Sequence, residues 1–351
     1  MLAAGRLAPP LPGVDGWSPL DAMARTIRSM PEVSAPLFVV NPVAGRGRAG
    51  QILPWLRGEL RRRSPAASIV ETEAAGHGVA VARGAARAGF DRVVAVGGDG
   101  TAQEVLNGLL DGGGLLPMAL LPRGSGNDFA RGVGLSLGLD DALTVALGSG
   151  RTRVDVGRAT RSDGSETTVR HFGAAGGVGF DAQVAAVMAG RHQAWQRGRI
   201  GYALSTIWEL QRYQNRSLQL TFETADGSRE EERRVLFVAI ANGAYYGGGM
   251  QICPAATVSD GWLDVCLVGD LSRFEALRQL PGLYRGAHAT HPAVEFVRVR
   301  WLEISGDADT RIHLDGEPFG VLPLQVEVVP LALTLVVPAA TQERASGATG
   351  T

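Results

Sequence analysis

The chain has no lysine: all 34 of its Lys-plus-Arg positions are arginine. That absence removes several chemistries at once. A Walker A loop places a lysine on the β- and γ-phosphates, and the protein-kinase signature needs a strand lysine. Schiff-base and pyridoxal-lysine mechanisms need the amine itself. Any phosphate this chain handles must be held by backbone amides, arginine or a divalent cation. Cysteine is scarce as well. Cys253 and Cys266 give neither a disulfide framework nor a zinc spacing, so both read as buried thiols in a reducing cytoplasm. The net charge of −1 leaves no general field for nucleic acid or an anionic bilayer. No apolar run reaches the ~18 residues of a spanning helix. Val328 to Val337 comes closest and is interrupted by Pro330.

What the chain has in excess is glycine, 48 residues in 351, about twice the usual ~7%. Hydrophobic residues at 45% and charged residues at 20% describe an ordinary globule, and the length suggests two domains. Residues 1–34 are rich in Ala, Pro and Gly, without periodicity or the apolar core of a signal peptide. They read as a disordered extension, or as sequence ahead of a true start at Met23 or Met30; residues 340–351 read as a disordered tail.

From residue 35 to about 153, strands and helices alternate. Leu37 to Val40, Ser68 to Thr72, Arg92 to Val96 and Met118 to Leu121 read as strands, with helices over Ala49–Arg62, Gly78–Ala88 and from Thr101. This grammar predicts an α/β domain, a parallel sheet with flanking helices, whose ligands bind beyond the strands' carboxyl ends. From Val154 to residue 330 short strand-like runs dominate: Arg153–Gly157, Val169–Ala174, Ser217–Glu223, Val235–Ala241, Leu263–Val268, Glu295–Ile304, Arg311–Leu314 and Gln325–Val329. One helix, Ile200 to Arg212, interrupts them. The pattern predicts an antiparallel β-sandwich, with 331–339 as a candidate segment returning to the first domain.

The most informative segment is Val93 to Thr101, a β-branched run breaking into Gly97-Gly98-Asp99-Gly100 before a helix. Glycines at a strand-to-helix turn admit a ligand to the backbone, and a helix N-terminus offers aligned N–H groups. Thr101 with Glu104 fits a capping box. Asp99 puts a carboxylate inside an anion site, which makes sense mainly when a divalent cation or ordered water stands between them. Two further loops end neighbouring strands: Asn41-Pro42-Val43-Ala44-Gly45 and Arg123-Gly124-Ser125-Gly126-Asn127-Asp128, where Asp128 is placed to cap the next helix. Gly45-Arg46-Gly47-Arg48-Ala49-Gly50 also matches a dinucleotide fingerprint, with Glu71 near the acidic position. Asn41 and Pro42 displace those glycines from the strand end, and the fingerprint leaves the Gly97 and Gly124 loops unexplained.

Together these loops resemble the catalytic domain of the diacylglycerol kinase family, in particular the bacterial soluble lipid kinases related to sphingosine, ceramide and NAD kinases. The resemblance extends in chain order through Asn242-Gly243, Gly247-Gly248-Gly249, Pro254-x-Ala256, Asp260-Gly261-Trp262-Leu263-Asp264 and Asp315-Gly316-Glu317. It implies ATP- and Mg²⁺-dependent phosphorylation of a lipid hydroxyl in the cleft between the domains. By motif, Glu317 becomes the general base, although Asp315-Gly316 alone would read as a hairpin turn followed by an exposed charge. Asp99 would organise Mg²⁺ and phosphate. Asn41, Pro42, Gly45, Thr72, Gly97, Gly98, Gly100, Thr101, Gln103, Glu104, Ser125 and Asn127 would line the ATP site. Asp260, with carbonyls near Thr257 and Trp262, resembles a second, supporting metal site; by itself Ser259-Asp260-Gly261 is good turn chemistry.

Arg46 and Arg123 lie near the expected phosphates. His77 reads as a helix-start residue, and His171, His192, His288, His291 and His313 share no ligand spacing. The segment from Trp195 to Arg212 is basic and aromatic; packing against the second sheet explains most of it, with membrane contact as the alternative. The implied protein is cytoplasmic, meets its lipid transiently at the inner face of the membrane, binds no nucleic acid and is compatible with a homodimer. Two rival readings stand beside it: a kinase of a soluble acceptor, as in NAD kinase, and a non-catalytic nucleotide- or lipid-binding regulator.

Overall fold

Four strands, β1 (Pro36–Val40), β2 (Ser68–Glu71), β3 (Arg92–Gly97) and β4 (Met118–Pro122), form a parallel array in the order β4-β3-β1-β2. The computed structural model describes residues 35–189 and 208–339, except 163 and 165. β1, β3 and β4 are apolar almost throughout because both faces are covered. Val39, Val93, Ala95 and Leu120 face the helices His77–Gly84 and Asp99–Asp111, while Phe38, Val40, Val94 and Leu121 face Leu56, Leu60 and Leu143 on the other side. The predicted helix over Ala49–Arg62 is two helices, Arg48–Gln51 and Leu53–Arg63, meeting at Ile52. Pro54 lies in the first turn of the second, where its missing N–H has no intrahelical partner to lose. The helix predicted over Gly78–Ala88 ends at Gly84.

The remaining strands are antiparallel: β5 (Arg151–Ser162), β6 (Thr167–Phe172), β7 (Ala175–Gly179), β8 (Arg216–Thr224), β9 (Gly227–Ala241), β10 (Tyr245–Tyr246), β11 (Met250–Gln251), β12 (Leu263–Gly269), β13 (Val294–Val299), β14 (Trp301–Gly306), β15 (Arg311–Leu314), β16 (Glu317–Val321) and β17 (Leu324–Val336). Phe172, Leu218, Leu220, Phe222, Ile240, Leu302 and Leu324 fill the sandwich interior. The run expected as one strand, Glu295–Ile304, is broken at Arg300, where the chain leaves β12 and joins β8 and β17. Three helices, Leu139–Leu147, Phe180–Ala189 and Arg273–Leu283, and the strand β7 were not anticipated from the pattern, whereas the hairpin turn read at Asp315-Gly316 joins β15 to β16. Of the helix expected over Ile200–Arg212, only the end from Trp208 lies among the described residues.

β17 ties the halves together. It pairs antiparallel with β5 along its length and meets β4 in parallel at Leu335–Met118. Pro330 interrupts this strand without ending it: the register slips between Val329 and Leu333, Leu331 has a positive φ of 48°, and its N–H donates to buried Asp155 Oδ1 at 2.6 Å. Asp155 Oδ2 also accepts the Gly261 N–H at 2.7 Å, so one carboxylate anchors both the bulge and the Asp260 loop.

Candidate active site

The ends of β1, β2, β3 and β4 lie on one rim, and the glycine loops leave from it. Two of these loops touch backbone to backbone: a Cβ on Gly124 would lie 2.3 Å from Gly98 Cα. A Cβ on Gly45, whose φ is +59°, would lie 1.9 Å from the Arg123 carbonyl oxygen. No side chain fits at either place. Arg48, from the fingerprint-like segment, laces the rim by donating from Nε to the Gly45 carbonyl at 2.9 Å and from its terminal amine to the Gly124 carbonyl at 2.6 Å. Arg123 donates to the Leu137 carbonyl at 2.9 Å; burial and neighbouring Arg48 hold its guanidinium below the ordinary value.

The Asp99 helix begins at Asp99 rather than at Thr101, with Gly98 as its cap residue and no side-chain cap. The expected capping box is therefore absent. Thr101 is buried, its hydroxyl unpartnered, in contact range of Gly97. Glu104 reaches a different helix start, accepting the Gly76 N–H at 2.8 Å and the Gly78 N–H at 2.9 Å. One carboxylate thus satisfies two otherwise free amides at the start of the His77 helix. His77 is its first residue, and its Nδ1 accepts the Glu73 N–H.

Asp99 turns across the rim, where Oδ2 accepts the Asn127 N–H at 2.7 Å and Oδ1 the Phe129 N–H at 3.2 Å. Burial raises its pKa against the pull of these amides. Asp128 does not cap the helix it starts; Asn127, at φ 58°, is the cap residue. Instead Asp128 Oδ2 accepts the Gly248 N–H at 2.8 Å, and Oδ1 is buried with no partner. Burial and then Asp99 push the Asp128 carboxyl up to about 7. Both carboxylates flank Gly126: a Cβ there would lie 2.8 Å from Asp99 Oδ2 and 3.1 Å from Asp128 Oδ2. The side-chain amide of Asn127 is spent closing its own turn on Gly124.

Glu317 arrives from the other half of the molecule. Asp315, at φ 50°, buries its carboxylate against the N–H groups of Gly173, Ala174 and Ala175 at 3.0, 2.9 and 3.1 Å. Burial nevertheless lifts it to about 6. His313 braces the turn from behind: Nδ1 accepts the Gly316 N–H at 3.3 Å, which leaves the proton on Nε2 to donate to buried Asp181 at 3.1 Å. Gln103 secures the turn to the Asp99 helix by donating to the Leu314 carbonyl at 3.0 Å. Glu317 consequently lies against the start of that helix, where a Cβ on Gly100 would be 3.0 Å from its Oε1. Partial loss of water raises its pKa; Arg170 opposes the rise, and Glu104 and Asp99 add to it.

Glu317 lines two clefts. The first, about 800 Å³, also contains Asn41, Pro42, Thr72, Gly76, Gly100, Gln103, Glu104 and His171. The second, about 760 Å³, contains Asp99, Ser125, Asp128, Arg131, Asp181, Asp315 and an apolar wall of Ala174, Ala175, Ala185, Met188, Tyr246 and Tyr284. Of the residues expected at the ATP site, Gly45, Gly97, Gly98, Thr101 and Asn127 line neither; they build the rim beneath it. At the expected second metal site both Asp260 oxygens are engaged, one with Arg298 and one with the Trp262 N–H at 3.1 Å. Arg298 and Arg300 stack over the Trp262 ring, with Thr257 in the same loop. Among the described residues, no group of three or more His, Cys, Asp or Glu side chains could enclose a metal. Cys253 and Cys266 are buried free thiols, with burial raising the pKa of each.

Sequence reasoning missed Arg48, Asp128 as a cleft carboxylate, Asp155, and the His313–Asp181 pair. Only Asp128 carried a usable signal, since it lies four residues after Gly124, the loop glycine that backs onto Gly98 beside Asp99.

Residues 35–159 match the family model of the diacylglycerol kinase catalytic domain, and residues 174–337 match that of the YegS C-terminal NAD kinase beta sandwich-like domain. A protein of Chromohalobacter salexigens named "Probable lipid kinase YegS-like" is 33% identical over 300 residues, 83% of this chain and 91% of that protein. A diacylglycerol kinase of Mycobacterium tuberculosis is 29% identical over 309 residues, 88% of this chain and 96% of that protein. In fold, the chain is similar to the crystal structure of a diacylglycerol kinase from Bacillus anthracis, with a TM-score of 0.64 at 22% identity over 88% of this chain and 98% of that one. Two carboxylate-bearing clefts meeting at one glutamate, on a scaffold shared along nearly the whole described length, place this chain in the diacylglycerol kinase family among the YegS-like lipid kinases.

Proposed function

We propose that the protein transfers the γ-phosphoryl group of ATP to the hydroxyl of diacylglycerol or a similar lipid alcohol in a Mg²⁺-dependent reaction. The observation that carries this reading is the position of Glu317 on the boundary between the two clefts. The cleft holding Asn41, Thr72 and Gly100 opens beyond the carboxyl ends of the parallel strands, the general location for nucleotides in such sheets. The other cleft has small apolar walls suited to acyl chains and a floor of carboxylates. A hydroxyl reaching Glu317 from that side would give up its proton to the Oε atoms as it attacks. A carboxyl with a raised pKa is a stronger base than a solvated one, which suits this task.

The chemistry of the donor set fits Mg²⁺ at Asp99 and Asp128. Asp128 Oδ1 is a buried oxygen lacking a partner, beside a second carboxylate. Mg²⁺ characteristically binds through one or two carboxylates plus phosphate and water, so a set of two acids suffices. When bound, the ion would neutralise charge on the transferring phosphate. At Asp260 a cation would have to displace Arg298.

Among the described residues no helix is long and apolar enough to cross a membrane. In this reading the enzyme meets its acceptor at the inner membrane face from the cytoplasm. The test is incubation with labelled ATP beside diacylglycerol, a total lipid extract, and a panel of soluble acceptors including NAD. Label in a lipid phosphate, dependent on Mg²⁺, supports the reading. Label only in a soluble acceptor, or ATP binding with no transfer to any acceptor, overturns it.

A further inference from the structure

The helix Arg273–Leu283 is two-sided in an unusual way. Ala276, Leu280 and Leu283 pack inward on the cluster formed by Phe180, Leu236 and Met250. The opposite face, spaced i, i+3, i+4, i+7 and continued one turn further, carries Phe274, Leu277, Arg278, Pro281, Tyr284 and Arg285. Phe274 is 75% exposed, Leu277 40% and Tyr284 37%. From Arg273 to Arg285 the only acid is Glu275, and it is committed to a capping box with Ser272. Arg273, Arg278 and Arg285 make no ion pair among the described residues. In a chain of net charge −1, a segment with three arginines to one acid beside exposed aromatic residues is a local feature rather than a reflection of composition.

The face adjoins the site. Tyr284, which follows the last helical residue, lines the apolar cleft together with Met188 and Ala185. Aromatic and aliphatic side chains flanked by arginine suit a bilayer interface, where rings enter the headgroup boundary and guanidinium groups remain with anionic phosphates. We infer that the face bearing Phe274, Leu277, Arg278 and Arg285 docks the protein on a bilayer containing anionic lipid and brings the mouth of the acceptor cleft to the membrane. This rests on the lipid-alcohol reading of that cleft.

The test uses the full chain with vesicles of phosphatidylcholine alone or mixed with phosphatidylglycerol. Wild type should co-sediment with mixed vesicles, less at high salt. The pair Phe274→Ser and Leu277→Ser should weaken binding about tenfold. The pair Arg278→Glu and Arg285→Glu should remove the preference for phosphatidylglycerol, with a loss on the order of fivefold per arginine. Both variants should keep wild-type turnover on a monomeric short-chain diacylglycerol. Because Cys253 and Cys266 are buried, Phe274→Cys can carry an environment-sensitive fluorophore, whose emission should shift blue on mixed vesicles. Failure of wild type to bind, variants that bind like wild type, an unshifted fluorophore, or burial of the face in a dimer of this chain would each overturn the inference. Vesicle binding lost in the variants while no lipid is phosphorylated would uphold the docking face and remove the kinase reading instead.

Discussion

The two clefts that meet at Glu317 are built in opposite ways. The rim under the proposed nucleotide side is made of backbone: Gly98 against Gly124, Gly45 against the Arg123 carbonyl, and Arg48 bonding main-chain oxygens. The proposed acceptor side is made of side chains, with Asp99, Asp128, Asp181 and Asp315 gathered among alanines and Met188. The first is a matter of shape, which a single methyl group destroys. The second is a matter of proton affinity, which pH and a cation control. The difference predicts that the same size of mutation acts through different observables on the two sides.

The largest effect belongs to the residue they share. Glu317→Gln keeps size and polarity but removes the proposed base, so turnover should fall about 10²- to 10⁴-fold with the melting temperature unchanged. Next come the rim glycines. Gly124→Ala should cost about 1–3 kcal/mol of stability by forcing two loops apart, and should weaken nucleotide binding in proportion. The control is Gly58→Ala in the Leu53–Arg63 helix, where nothing lies within 4 Å of a new Cβ. It should gain up to ~1 kcal/mol. Equal thermal shifts in the two variants would break the distinction between a rim set by shape and an ordinary loop.

The acceptor side is probed by pH. Folding raises Asp128 to about 7 and Asp315 to about 6, above the ordinary carboxylate value near 3.8. In that window the folded state binds more protons than the unfolded state. Their contribution to stability is therefore full below pH 4 and is lost as pH rises towards 7. Mg²⁺ should restore the Asp128 share above pH 7 by taking the place of its proton, and activity should rise through the same range as Asp128 ionises. Melting curves at several pH values, with and without Mg²⁺, read this directly. Asp128→Asn should flatten both the pH dependence and the Mg²⁺ response. The smallest effect is expected at Asp260→Ala, which loses a half-exposed pair with Arg298 worth about 0–1 kcal/mol. A larger loss, or a Mg²⁺-dependent one, would move cation binding to that loop.

The parallel half was readable because its signals are local. Buried strands are continuous apolar runs, and each ends in a glycine loop. The antiparallel half was readable in outline, as alternating strands, and β16 through the Asp315-Gly316 turn before it, but β7 was missed because Ala175-Gly176-Gly177-Val178-Gly179 has neither alternation nor β-branched weight. The Arg273–Leu283 helix was missed for its exposed Phe274 and its internal Pro281, both of which blur the apolar stripe. At the site, Asp99 and Glu317 were named from motif, but their meeting depends on Asp315 and Gln103, contacts that join residues 103, 173 and 315 across the fold. The Thr101–Glu104 spacing misled because Glu104 found two free amides at Gly76 and Gly78, a better-matched partner than its own helix start.

The central claim, that Glu317 works at the junction and not within either cleft, is tested most directly by measuring ATP affinity and transfer to diacylglycerol in the same Glu317→Gln preparation. Nucleotide affinity close to wild type with transfer reduced at least about a hundredfold is the predicted result. Transfer at the wild-type rate, or loss of ATP binding in step with activity, would contradict it.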